Sequence, residues 1–309
     1  MRGEFRKELV DSLLKLREYI WNNFKVDEQI FMEALEQSAN ARGYLIGAIS
    51  ELALSYSLAT YGYHIHRIPE KWKGEKRHFA DFYVSEDGAV WYLLEVKGLK
   101  SNAEEWTKLY NLNKLVRFLS DKALRKPIAK LLGLDGEQKD AELKQKLTSW
   151  IIDNFPKFDS EYREEIPDER AKREDRAKVE ERLHYLREGG FAPLLTHLVS
   201  KAGTGKRSQA TPRKDEFDIL AVNLFLRVGE HKFVYANTKE LPTSKNSKDH
   251  LQQNYKIGLY FKGEIYLNDP WEEDFKSIFN SVKKKGGRSI PKDDLNIDTR
   301  WLPNLGGKP

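Results

Sequence analysis

The chain has no cysteine, only two methionines and seven histidines among its 309 residues. Without thiols there can be no disulfides, zinc–thiolate centres, iron–sulfur clusters or cysteine nucleophiles. Long apolar runs are missing as well, so no segment reads as a membrane span. The opening Met1-Arg2-Gly3-Glu4-Phe5-Arg6-Lys7-Glu8 lacks the apolar stretch of a secretory signal. The expectation is a soluble cytoplasmic protein with no membrane partner. A Walker phosphate loop is absent too. At Gly203-Thr204-Gly205-Lys206 the required first glycine is Ser200, and Arg207 stands where Ser or Thr should follow the lysine. No nucleotide cofactor is expected.

What is present is charge. Asp, Glu, Lys and Arg make up 33% of the chain against 39% hydrophobic residues, with a net charge of +5. This balance describes a polar-surfaced globular protein of one large domain or two modest ones. A mild positive excess is compatible with a polyanionic partner, but Lys and Glu are both abundant, so local clusters matter more than the sum.

The most informative stretch is Phe79-Ala80-Asp81-Phe82 followed by Leu94-Glu95-Val96-Lys97-Gly98, with thirteen residues between Asp81 and Glu95. Two apolar strands are predicted here, turned by Ser85-Glu86-Asp87-Gly88. Strand side chains alternate, so Glu95 and Lys97 fall on one side and Val96 on the other. Charges at the end of a buried strand are costly unless something pairs or uses them. A metal ion held by Asp81 and Glu95, with Lys97 beside an attacking water, would use all three. The Val96 carbonyl is a third candidate ligand. An all-oxygen donor set favours Mg2+.

Upstream, residues 41–61 read as a helix, with Asn40 as N-cap and Gly62 just past its end. Glu51 lies mid-helix among Gly47, Ala48, Leu54, Ser55 and Leu58. It serves either a metal or its water, or a structural pairing with Arg42 or Lys97. Tyr63-His64-Ile65-His66-Arg67-Ile68 alternates like a first strand. His64 and His66 share a side, but no third metal ligand accompanies them.

Helix with Glu51, then strand, strand with Asp81, and strand with Glu95-Val96-Lys97: this order resembles the PD-(D/E)XK nuclease superfamily, above all its type II restriction endonucleases. The matched core covers residues 40–100, a third of the chain. Ala80 stands where the signature often has Pro, a position that shapes backbone entry more than chemistry. The resemblance implies an α/β fold, a mixed central sheet flanked by helices. It also implies Mg2+-dependent hydrolysis of double-stranded DNA, Lys97 orienting or deprotonating the water, Glu51 holding a metal-bound water or second ion, and a homodimer that cuts both strands. A repair or modification-dependent DNA nuclease, or a DNA-binding protein with an inactive nuclease fold, are the alternatives.

The remainder is less specific. Residues 1–37 read as helical, with Val10, Leu13, Leu14, Ile20 and Trp21 forming an apolar stripe of a packing layer ahead of the core. The division expected is 1–100 for N-terminal helices and catalytic core, 101–200 for a large helical insertion, and 201–309 for a second strand pair. Within the insertion, 102–150 shows an apolar face at Leu109, Leu112, Leu115, Val116 and Leu119, and 161–188 reads as a solvated, highly charged helix. Lys201, Lys206, Arg207, Arg213 and Lys214 punctuate a basic loop suited to phosphate contact. Strands at 217–222 and 233–239 form a weaker echo of the first hairpin, with Asp218, Asn237 and Lys239. Asn is a poor metal ligand beside a carboxylate, so this pair is assigned to completing the sheet and to recognition. Asn237, Lys239, Gln252 and Gln253 are candidates for reading bases, and Arg42 for DNA contact. Trp271 and Trp301 are expected to pack.

Overall fold

The structure is a computed structural model, and it describes residues 2–69, 79–99, 111–134, 139–158, 169–198, 211–245 and 247–298. Internal contacts divide the chain into two units, Met1–Leu52 and Ala53–Pro309.

In the first unit, α1 spans Arg2–Phe24 and α2 Glu28–Gln37, and α3 (Ala39–Thr60) begins. Asp27 caps α2 by accepting the Ile30 N–H at 2.8 Å. The expected Asn40 cap is displaced. Helix α3 starts two residues earlier, and the Ser38 hydroxyl accepts the Ala41 N–H at 3.2 Å. Serine is as good a cap as asparagine, and Ala39 extends the helix at little cost. Ile20 is buried, but Val10, Leu13, Leu14 and Trp21 are exposed.

In the second unit, α3 ends at Thr60, and Gly62 just beyond it has a φ of +88°, the left-handed conformation that glycine adopts freely past a helix end. Strands β1 (His64–Arg67), β2 (Phe82–Ser85) and β3 (Val90–Gly98) follow as an antiparallel meander. The β2–β3 turn is built as its residues suggest: Ser85 Oγ accepts the Gly88 N–H at 2.9 Å, and Asp87 accepts those of Ala89 and Val90.

The stretch 111–188 holds α4 (Leu112–Leu119), α5 (Arg125–Leu131), α6 (Asp140–Asn154) and α7 (Glu169–Glu188). The helical stretch over 102–150 breaks near Gly133, where Gly133-Leu134-Asp135-Gly136 marks a break in the sequence, and also at Ser120–Asp121. Leu109 lies outside the described residues. Helix α7 is not wholly solvated, since Leu183 and Leu186 are buried in a helical core with Leu115, Leu147 and Phe191.

The expected helical insertion also contains a strand. β4 (Phe191–His197) lies within residues 101–200. Its Pro193 argues against a central strand, and β4 is indeed an edge strand. Next come β5 (Ile219–Asn223), α8 (Phe225–Val228), β6 (Phe233–Asn237), β7 (Thr243–Ser244), β8 (Ser247–Leu251), β9 (Asn254–Phe261), β10 (Glu264–Leu267), α9 (Phe275–Lys284) and β11 (Ile290–Pro291).

The central sheet is mixed and six-stranded, in the order β1-β2-β3-β5-β6, with β11 on the start of β3. The β3–β5 pair is parallel and β5–β6 antiparallel. The second strand pair therefore completes the sheet. One face packs Phe82, Leu94, Val96 and Ile219 against Leu54 and Leu58 of α3 and Phe279 of α9. The other packs Tyr83, Leu93, Leu220 and Val234 against Leu194 and Ile257 of a second sheet, ordered β10-β9-β4. Cover on both faces explains why β3 and β5 read as near-continuous apolar runs. Trp271 packs as expected in this core, whereas Trp301 lies outside the described residues. Among the described residues, no helix is long and apolar enough to cross a membrane.

Candidate active site

Asp81 stands immediately before β2. Its N–H donates to the Leu94 carbonyl at 3.1 Å, and its carbonyl accepts from Ile68 at 2.9 Å. Backbone bonds to both neighbouring strands thus fix the residue. Its carboxylate then reaches across to β3, where Oδ2 accepts the Val96 N–H at 2.8 Å. A residue's N–H and C=O point to the same side of an extended strand. The Val96 carbonyl therefore faces the Asp81 side of β3 too.

Glu95 lies beside this contact, and Lys97 Nζ donates to its Oε1 in an ion pair. The two side chains share one side of β3, as strand alternation requires. Asp81 is 5% exposed and Glu95 3%, while the Lys97 side chain is 18% exposed. Two carboxylates this deeply buried are expensive unless charge compensates them. The Lys97 ammonium supplies positive charge to Glu95.

The second sheet abuts the exit of β3. Thr196 Oγ1 donates to the Gly98 carbonyl at 2.9 Å, and Leu99 bridges Thr196. The next residue, His197, has Nδ1 2.9 Å from Asn254 Oδ1, with Gln253 Nε2 3.5 Å from Nε2. One neutral tautomer, protonated at Nδ1, fits both contacts. Gln253 was a sequence candidate. His197 was not, because its place depends on β4, which lies in the 101–200 stretch assigned to a helical insertion.

The donor set suits a hard divalent ion. Mg2+ is commonly held by one or two carboxylates, with water and substrate phosphate completing its shell. Asp81, Glu95 and the Val96 carbonyl offer oxygens of that kind. Among the described residues no group of three or more His, Asp or Glu forms a protein-only metal cage. Glu51 is half-buried in α3 and belongs to the N-terminal unit, so the site drawn here comprises residues of the second unit only. His64 and His66 turn to Trp91, with ring centroids 6.3 and 4.8 Å away. Burial lowers the His66 pKa below its ordinary value, as expected for a packed imidazole.

The second hairpin is wired differently. Asp218, just before β5, accepts the Leu93 N–H on Oδ2 at 2.9 Å and the Arg288 N–H on Oδ1 at 2.6 Å. Burial nonetheless raises its carboxyl above the usual range. Asn237 is 1% exposed; its Nδ2 donates to Ser281 Oγ at 3.0 Å and its Oδ1 accepts the Lys239 N–H at 3.0 Å. Its assignment to base reading is corrected here, since both ends of the amide are spent inside the fold. Lys239 Nζ donates to the carbonyls of Lys285 and Gly286, capping the end of α9.

Other proposed DNA contacts are similarly engaged. Arg213 makes a two-pronged pair with Asp215 at 2.9 and 3.2 Å, and Lys214 Nζ donates to the Leu241 carbonyl at 3.3 Å. Gln252 Nε2 donates to the Thr243 carbonyl at 3.2 Å. Arg42 Nη1 donates to the Leu35 and Glu36 carbonyls at the end of α2. Lys201, Lys206 and Arg207 lie outside the described residues. No family model, curated protein or solved structure matches this chain, so function is argued from these residues alone.

Proposed function

We propose that the chain is a Mg2+-dependent endonuclease of double-stranded DNA, of type II restriction character and acting as a homodimer. One observation carries the reading. The Asp81 carboxylate bonds the Val96 N–H at the end of a buried strand, between Glu95 and Lys97, which form an ion pair.

Phosphodiester hydrolysis forms a bond from a water oxygen to phosphorus and breaks one ester bond, and a proton lost by the water ends on the leaving oxygen. When bound, a divalent cation supplies positive charge at the phosphate and lowers the pKa of its water. Asp81, Glu95 and the Val96 carbonyl would hold it. Lys97, the more exposed of the pair, orients the attacking water and steadies the charge developing on phosphate. Lys97, partly exposed beside Glu95, would face a substrate phosphate from this position. The buried strands on either side keep these groups in fixed relation before substrate arrives.

The test uses purified protein on varied plasmid and phage DNA, with Mg2+ or EDTA, alongside Asp81→Asn. That variant keeps an acceptor for the Val96 N–H. Discrete fragments that need Mg2+ and vanish in the variant are expected. A smear would point instead to a repair-like nuclease. Cutting that survives Asp81→Asn would place the chemistry elsewhere.

A further inference from the structure

Between α5 and β10 lies a cavity of about 800 Å³ that shares no residue with Asp81, Glu95 and Lys97. Small-molecule sites run to roughly 300–1,000 Å³. Its two walls carry opposite charge. Lys122, in a 3-10 turn at Lys122–Leu124, lines one wall with Arg125, Lys126 and Lys130 of α5. Asp269, Glu272 and Glu273, from the connection between β10 and α9, line the other. Ile265 and Leu267 of β10 and Leu143 of α6 add apolar surface.

Much of this charge is not used by the fold. Among the described residues, the side chains of Lys122, Glu272 and Glu273 make no hydrogen bond or ion pair, and Lys130 Nζ meets only the Tyr266 ring, 5.8 Å from its centroid. Lys126 and Asp269 pair across the cavity at 2.5 Å, but their side chains are 63% and 74% exposed. A pair so exposed contributes little to stability and gives way to a competing phosphate.

We propose that this cavity binds a nucleoside polyphosphate. Four cations within nine residues exceed what a single carboxylate needs and suit a run of phosphates, through charge-assisted hydrogen bonds. The carboxylates would repel phosphate, yet they accept hydrogen bonds from ribose hydroxyls and base amino groups. The apolar side chains offer a surface to the base. A ligand with phosphates at one end and donors at the other matches both walls, whereas inorganic phosphate would leave the carboxylates unused and a bare nucleoside the cations. Side chains, not a glycine-rich loop, hold the phosphates, so the missing Walker motif has no bearing on this site. The inference is independent of the endonuclease reading, and its test needs neither metal nor DNA.

Isothermal titration calorimetry on the full chain in EDTA compares ATP, inorganic tripolyphosphate and adenosine. ATP should bind one to one, about tenfold or more tighter than either fragment. Lys122→Ala/Lys130→Ala, at two exposed positions, should weaken ATP and tripolyphosphate binding by about tenfold or more. Glu272→Gln/Glu273→Gln should cut the advantage of ATP over tripolyphosphate by about threefold or more, since the donor-facing wall is altered and two like charges are gone. Thermal unfolding at the wild-type temperature would show that both variants fold. Absence of ATP binding, tripolyphosphate binding as tight as ATP, or ATP binding undiminished without the two lysines would overturn the proposal. An ATP advantage unchanged by the two glutamines would overturn the part given to the acidic wall.

Discussion

Asp81 and Asp218 each stand one residue ahead of a strand of the central sheet, and each accepts an N–H from β3. Asp81 binds Val96 from the β2 side, and Asp218 binds Leu93 from the β5 side. Beyond that the two regions diverge. At the second hairpin both carboxylate oxygens are used by backbone N–H groups, the position corresponding to Glu95 is a buried Asn237, and Lys239 is committed to helix-end carbonyls. At the first, a second carboxylate and a lysine join the aspartate. The same strand-edge placement makes a structural clamp in one case and a candidate reaction centre in the other. What separates them is charge beyond what the backbone needs.

The comparison is broken most forcefully by exchanging effects between the two aspartates. Asp81→Asn should lower DNA cleavage by about 10³-fold or more, as removal of a transition-state charge stabiliser does, with little change in melting temperature. Asp218→Asn should do the opposite. Its amide NH2 must face either the buried Leu93 N–H or the Arg288 N–H, costing about 1–3 kcal/mol of stability, while folded protein still cuts DNA. Both are read by cleavage time courses beside thermal unfolding.

Lys97→Met comes next. It leaves Glu95 buried without its ammonium, and breaking such a pair costs on the order of 3 kcal/mol. Cleavage should fall with it. Mg2+ should then raise the melting temperature of this variant more than that of wild type, since a cation replaces the missing charge. Equal shifts would separate the ion pair from the metal.

How far the site could be read from sequence follows from how local it is. The first hairpin has its turn chemistry in four adjacent residues, and Glu95 and Lys97 share a face by strand alternation alone. The fold class was legible because β3 and β5 are continuous apolar runs flanked by helical periodicity. The true roles of Asn237 and Lys239 were not, because their partners Ser281, Lys285 and Gly286 lie over forty positions away on α9 and beyond. Strand β4 was hidden by Pro193 within a helix-rich stretch, and with it the placing of His197 beside the end of β3. The apolar stripe of α1 was correctly seen as a stripe. Periodicity says that a face wants cover, not what covers it.

A subtler contrast lies in pH. Burial raises the Asp218 carboxyl, so the folded chain holds that proton more tightly than the unfolded one. Stability from this group is then fully present below the unfolded pKa and is lost as pH rises through the raised value. Urea unfolding across the acidic range should show wild type losing stability relative to Asp218→Asn as pH rises. A gap that widens in favour of wild type would contradict the assignment. Smallest of all, Lys239→Met should leave cleavage unchanged and shift the melting temperature by no more than about 2 °C. A marked loss of DNA binding there would restore Lys239 to the interface.

The central claim is that the first hairpin binds a divalent cation and the second does not. Mn2+, which takes the same oxygen donors and is visible by electron paramagnetic resonance, can be titrated into wild type, Asp81→Asn and Asp218→Asn without DNA. The account predicts one site per chain in wild type, its loss in Asp81→Asn and its retention in Asp218→Asn. Undiminished Mn2+ binding by Asp81→Asn would contradict it.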